Sequence, residues 1–291
     1  LRLDWRGDAG PYALAVSDPA AVRALAVLAS GRAGMAAGSG AATRAWVWGL
    51  VAVFFVLPLL LLGVLLWQHE RIAAWVVERI PVEQEMKFGA QLFAGHKSDL
   101  KLIEGAPQAM VAEIGARLTQ GSPYRFHFYV SDDKTVNAYA MPGGFIVVNR
   151  GLLALADSAD EVAGVLAHEV AHVEKRHSLT ALVKSAGLYA TTAALFGDLG
   201  SLARAGTDLV NRKFSRDHER EADDEGLKRL VKAGFQPAPM ATFFRKMAQQ
   251  GVNVPAFLST HPASEERFAT IDRAVKALPE AARAASGKAF T

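Results

Sequence analysis

Ser158-Ala159-Asp160-Glu161-Val162-Ala163-Gly164-Val165-Leu166-Ala167-His168-Glu169-Val170-Ala171-His172 is the stretch on which the fold turns. Ser158 followed three residues later by Glu161 is a capping box, in which the hydroxyl takes an orphan N–H at a helix start and the carboxylate reaches back to the cap. From there Val162, Val165, Leu166, Val170 and Val173 recur at spacings of three and four, which predicts a helix with one stripe turned to a core. His168 and His172 lie one turn apart on another flank, so their rings converge on one place. Two imidazoles so placed, with the Glu169 carboxylate between them, can grip a zinc ion and work its water.

Such a zinc takes a third protein ligand and leaves its fourth position to water. The acid-rich run Ser215-Arg216-Asp217-His218-Glu219-Arg220-Glu221-Ala222-Asp223 opens on a capping residue. Ala222, Gly226, Leu227, Leu230 and Val231 then form an inward stripe, and Gly234 and Pro237 mark the end of the helix. Glu219 and Asp223 share a face, which lets one carboxylate reach metal while the other accepts the free ring N–H of a ligating histidine. Glu221 falls on a different flank, and His218 and Asp217 remain rival ligands. His177, five residues after His172, is expected to point away from the metal and to be structural.

These residues carry a resemblance. His168-Glu169-Val170-Ala171-His172 with Glu219-Arg220-Glu221-Ala222-Asp223 resembles the gluzincin zinc metallopeptidases of the HtpX, CAAX prenyl endopeptidase and BepA-LoiP type. Asn137-Ala138-Tyr139-Ala140-Met141-Pro142-Gly143-Gly144 and Ser259-Thr260-His261-Pro262 are similar to further signatures of that family, so the likeness runs from about Pro81 to Arg273. It implies that His168, His172 and Glu219 bind zinc, one ion per chain, and that Asp223 supports a ligand without touching the metal. It also implies that His261 lies near the metal as a catalytic-site residue, helping a tetrahedral oxyanion or plugging the open coordination position. Zinc lowers the pKa of its water to about 7, which suits Glu169 as the base that takes the proton and hands it to a leaving amine.

Phe126, Phe128 and Val130 alternate as in a strand, Val136 to Met141 reads as a second, and Pro142-Gly143-Gly144 as the turn into Phe145-Ile146-Val147-Val148. Phe126 and Phe128 are expected to be core. If an edge of this sheet is exposed, an extended substrate can add to it through main-chain hydrogen bonds, with Asn137, Ala138, Tyr139, Ala140, Gly143 and Gly144 as its contacts. The expected fold is therefore α+β and mainly helical, a zincin-like metallopeptidase domain with a small β-sheet beside the His-Glu-x-x-His helix, preceded by one transmembrane helix.

Ala45 to Trp67 is uncharged and about 34 Å long as a helix, enough to cross roughly 30 Å of hydrocarbon, with Trp46, Trp48 and Trp67 at its ends. Arg2, Arg6, Arg23, Arg32 and Arg44 precede it, a small bias that keeps the amino end inside. The expected setting is a bacterial inner membrane, with one pass and a periplasmic catalytic domain. The expected division is a truncated N-terminal unit (1–30), a Gly/Ala-rich linker (31–44), the span (45–67) and the metallopeptidase domain (68–291). Leu1 to Val16 reads as the tail of a small β unit whose upstream sequence is missing. A net charge of +3 with both signs interspersed argues against nucleic acid, and the absence of cysteine excludes disulfides and a lipidated cysteine anchor. Ala181 to Leu202 reads as packed core or a lid, since its uncharged run is too short to span.

The expected function is hydrolysis of misfolded or damaged proteins in envelope quality control. The alternative is a non-catalytic, metal-containing binding or chaperone-like protein of the same fold. One span does not build the intramembrane chamber of the prenyl endopeptidases, which disfavours lipid-linked substrates. The oligomeric state is not legible.

Overall fold

The computed structural model describes residues 1–7, 10–196, 213–249, 256–262 and 264–283 of the 291. The chain falls into two compact units, Leu1–Gln68 and His69–Thr291.

The first unit opens with an antiparallel hairpin, β1 (Arg2–Gly7) against β2 (Gly10–Ala15), with Arg2 opposite Ala15 and Gly7 opposite Gly10. Asp18 then caps α1 (Pro19–Val51), its carboxylate accepting from the Ala20 N–H at 3.0 Å, with Pro19 in the first turn where no N–H is needed. Residues 31–44, expected as a linker, are helical within α1, as their alanines favour. A π-helical turn, Ala52–Val56, leads into α2 (Leu57–Trp67). Pro58 explains that turn: its ring cannot donate and crowds the carbonyl one turn back, and a widened turn relieves both. Thr43–Val64 has a mean hydropathy of 2.7 and none of it is buried, so by length and composition it is the one candidate membrane span among the described residues.

The second unit holds α3 (His69–Glu78), α4 (Val82–Lys97), β3 (Leu102–Ile103), α5 (Ala106–Leu118), β4 (His127–Ser131), β5 (Ala138–Met141), β6 (Phe145–Asn149), α6 (Arg150–Leu155) and α7 (Ala159–Glu174). There follow α8 (His177–Phe196), α9 (Arg216–Lys232), α10 (Ala238–Ala248), α11 (Ala256–Thr260), α12 (Glu265–Ala277) and α13 (Glu280–Arg283). The sheet runs β3-β4-β6-β5, with β4 and β6 parallel and both edge strands antiparallel to their neighbours.

Every residue of β6 is buried, because the strand is covered on both faces. Ile146 and Val148 join Val130, Leu152, Val165, Leu166 and Val170 in the main core under α7, while Phe145 and Val147 meet Phe93, Tyr139 and Met141 on the side of α4. Phe126 and Phe128 pack against the main core, as their alternation implies. The fold is thus mainly helical with a small mixed sheet.

Ser158 caps α7 through the Glu161 N–H at 3.3 Å, but the Glu161 carboxylate reaches the Asp157 N–H at 2.7 Å rather than that of the cap itself. The first part of α8 is packed, with Leu179 and Leu182 against Val77. Residues 197–202 of the segment expected as core or lid lie outside the described residues.

Candidate metal centre

The centre is built by α7 and α9, which can approach closely because Gly226 faces α7 without a side chain. A Cβ there would lie 3.2 Å from the carbonyl of Ala167 and the amide nitrogen of His168. On the other flank of α7, a Cβ on Gly164 would lie 2.9 Å from the Cα of Met240 in α10. Ser215 caps α9 through the His218 N–H, which directs the first turn and Glu219 inward. A third element, α11, delivers His261: its N–H donates to the Phe257 carbonyl, while the Phe257 N–H donates to the Val136 carbonyl just before β5.

His168, His172, Glu219 and His261 are all buried, and one ligand atom from each lies within 4.8 Å of every other. His168 Nε2 is 3.0 Å from His172 Nε2, 3.2 Å from His261 Nδ1 and 3.5 Å from Glu219 Oε2. Glu219 Oε1 is 3.4 Å from His172 Nε2 and 3.0 Å from His261 Nδ1. Ligands about 2.0–2.1 Å from a tetrahedral zinc stand about 3.3 Å from one another. These spacings are close to what such an ion needs, and three imidazoles with one carboxylate are donors that zinc accepts.

Glu169 sits beside this cluster, fully buried, with neither carboxylate oxygen hydrogen-bonded. Its Oε1 is 3.4 Å from His261 Nε2, and the Ala140 backbone amide faces it. Burial pushes its pKa up, against the pull of His261 and His168. Burial also works against the ionised form of Glu219, but His261 and the hydrogen bonds from His168, His172 and His261 outweigh it and hold that carboxyl well below its usual range. Burial keeps His172 well below the ordinary imidazole value, which suits a neutral ligand.

Asp223 stands behind His168, with Oδ1 3.0 Å from Nδ1. It is itself gripped by Arg267, whose Nε and Nη2 donate to its two oxygens at 2.8 and 2.7 Å. Arg267 Nη1 also pairs with Glu219 Oε2 at 2.6 Å and donates to the Pro262 carbonyl at 2.8 Å. Its guanidinium thus ties together Asp223, Glu219 and the loop carrying His261. Sequence reasoning missed Arg267. The available signal was an arginine on the same stripe of α12 as Phe268, Ile271 and Val275, where a buried cation requires carboxylate partners.

The six residues expected at the metal, His168, Glu169, His172, Glu219, Asp223 and His261, come together. The rivals do not: His218 stacks on His177 with ring centroids 4.2 Å apart, and Asp217 pairs with Arg220 at the surface. His177 does not reach the cluster, yet it does not point away either, because its Nδ1 lies 3.0 Å from His172 Nδ1. The spacing argument fails because α7 ends at Glu174 and Arg176 takes a left-handed conformation, φ 59°, so that the chain doubles back. Arg176 is held there by Glu85 and by the carbonyls of Val77 and Ile80.

Of the residues expected to meet substrate, Ala138 and Ala140 lie on β5 along the edge beside α7, and the Ala140 carbonyl accepts from Ser178 Oγ at 2.9 Å. Asn137 precedes them, buried, its carbonyl bonded to the Asn149 N–H on β6. The Tyr139 side chain turns to the α4 side, where its hydroxyl meets His96 Nε2 at 2.7 Å. Gly143 and Gly144 form the turn into β6 at φ 82° and 100°, and a Cβ on Gly143 would strike the Glu85 carbonyl and Met86 of α4 at 2.9 Å.

The model of the family described as Peptidase family M48 matches residues 103–275, which hold every residue of this centre. A putative beta-barrel assembly-enhancing protease from Vibrio cholerae is 33% identical over 210 residues, 65% of this chain and 43% of the relative. The beta-barrel assembly-enhancing protease of Escherichia coli is 33% identical over 216 residues, with the same shares, and the metalloprotease LoiP of that organism is 36% identical over 157 residues, 50% of this chain and 61% of the relative. The chain thus spans less than half the length of the assembly-enhancing proteases it matches. With its two histidines, two glutamates and supporting aspartate inside the matched region, the chain belongs to peptidase family M48, the zinc metallopeptidases, and is of the BepA-LoiP type.

Proposed function

We propose that the chain is a membrane-anchored zinc-dependent endopeptidase that hydrolyses misfolded or damaged proteins in the cell envelope. The observation that carries this reading is the buried cluster His168, His172, Glu219 and His261 with the buried Glu169 carboxylate beside it. His168, His172 and Glu219 would hold one zinc ion, held in register by Asp223 and Arg267. Zinc there supplies Lewis acidity, polarising a peptide carbonyl and bringing the pKa of water down to about 7.

The remaining chemistry belongs to the chain. Glu169 is the base: burial makes its carboxylate a better proton acceptor than a solvated glutamate. The proton it takes from water is then returned to the leaving amine. His261 Nδ1 occupies the fourth corner of the cluster, which favours a plug over an oxyanion stabiliser in this conformation. Water would reach the site only with the His261 ring moved from this position.

Substrate would lie along β5. The Asn137 carbonyl bonds to β6, so by strand alternation the polar groups of Ala138 and Ala140 point to the outer edge. Ser178 already takes the Ala140 carbonyl and Glu169 faces the Ala140 amide, so Ala138, itself buried, offers the remaining outward amide and carbonyl to an added strand. Main-chain pairing of this kind makes little demand on sequence and suits unfolded chains. Asn137, Tyr139, Gly143 and Gly144 would shape this edge from behind.

Bacterial relatives named for enhancing beta-barrel assembly support an envelope setting for such activity. Thr43–Val64 would make the single inner-membrane crossing, with the catalytic unit in the periplasm. The proposed division remains 1–30, 31–44, 45–67 and 68–291. The test is cleavage of casein by the purified chain: native protein should cut it, a chelator should stop it, and Glu169→Gln should abolish it while metal is retained. Turnover by Glu169→Gln would overturn the assignment of the base. Retention of casein without cleavage by the native protein would favour the non-catalytic binder.

A further inference from the structure

The two histidines of the zinc helix are backed differently. His168 leans on a buried carboxylate, Asp223, whereas His172 leans on another imidazole, with its Nδ1 3.0 Å from His177 Nδ1. His177 Nε2 in turn lies 3.3 Å from Glu221 Oε2, and Glu221 Oε1 pairs with Lys175 Nζ at 3.0 Å. The row runs from a fully buried ring to a carboxylate about half exposed at the surface.

The proton positions along this row are forced. His172 Nε2 faces the cluster and can bind metal only without a proton, so the His172 proton sits on Nδ1 and must be donated to His177 Nδ1. His177 then carries its own proton on Nε2, where Glu221, an acceptor only, receives it. Each group has one role consistent with its neighbours, and Lys175 closes the row with a donor. The His218 ring, stacked at 4.2 Å and 14°, holds the His177 plane from the side.

The geometry points to His177 as the positioning residue of the metal centre: it fixes the tautomer and aim of His172, and Glu221 anchors it from the surface. This rests on the reading of His168, His172 and Glu219 as ligands. Removing such outer partners typically costs 10–100-fold in metal affinity. His177 reaches its place only through the left-handed Arg176, which gives that residue and its Glu85 clamp a part in the same arrangement.

The experiment is a zinc affinity measurement by chelator competition on the whole 291-residue chain, for native protein, His177→Leu, His177→Asn and Glu221→Gln. His177→Leu is expected to weaken binding at least tenfold. His177→Asn, whose side-chain oxygen can still accept from His172, should recover most of that loss, and Glu221→Gln should lose several-fold. In ¹⁵N spectra of the metal-loaded native chain, the His172 proton should appear on Nδ1 and that of His177 on Nε2. Unchanged affinity in a folded His177→Leu, or a proton on His177 Nδ1, would overturn the proposal. Should His177→Leu not fold, Glu221→Gln decides: a several-fold loss supports the row and native affinity refutes it. Failure of the native chain to bind zinc at all would instead refute the ligand assignment on which the proposal depends.

Discussion

At the scale of single residues, His261 carries the most direct test of what the centre is doing at rest. Its Nδ1 stands 3.2 Å from His168 Nε2 and 3.0 Å from Glu219 Oε1, close to the separations a tetrahedral ion would impose. His261→Ala is therefore expected to raise casein cleavage several-fold, and a loss of tenfold or more would show that the ring serves the reaction instead. Tyr124 offers a second test, on stability. Its hydroxyl donates to Glu85 at 2.9 Å, and burial, followed by the Glu85 charge, raises its pKa above the ordinary 10.0. The folded protein then holds this proton more tightly than the unfolded one, so the contribution is fully present below about pH 10 and is lost as the pH climbs beyond it. Tyr124→Phe should cost about 1 kcal/mol near neutrality yet lose less stability than the native chain above pH 10, as measured by urea unfolding across that range. Equal alkaline slopes would show that the phenol does not titrate with unfolding.

At the scale of elements, the zinc helix was legible because its signals are local: a capping serine, a stripe at spacings of three and four, and histidines one turn apart. The acid-rich helix was legible for the same reason, and its shared face brings Glu219 into the cluster and Asp223 to 3.0 Å from His168 Nδ1. Hidden from the sequence were the contacts made by doubling back. Arg176 is not glycine, so nothing announced its left-handed turn, and the partner of His177 on α9 lies 44 residues away. The Gly/Ala-rich linker lies within a helix, which its glycines did not announce and its alanines favour. The meeting of α7 with α9 depends on Gly226, where a Cβ would press on the backbone of Ala167 and His168 at 3.2 Å. Gly226→Val is expected to destabilise the chain by about 1–3 kcal/mol and to weaken zinc binding, because the atoms displaced belong to a ligand residue. Chemical unfolding with parallel metal titration checks both; native values for each would mean that the helices can part without cost.

At the scale of the whole molecule, the account joins a cysteine-free chain, a candidate span and a catalytic unit. The absence of native cysteine makes the topology testable with single introduced thiols. Asp99→Cys, exposed in the second unit, should react with a membrane-impermeant maleimide in cells whose outer membrane has been opened, and Arg23→Cys should react only after lysis. The reverse pattern would place the peptidase on the cytoplasmic side. The claim beneath all of this is that one metal ion is held by His168, His172 and Glu219. It is tested most directly by measuring the zinc content of the purified native chain beside Glu219→Ala and His172→Ala: about one zinc per native chain and little in either variant is the predicted result, and a metal-free native chain, or variants that keep their zinc, would contradict it.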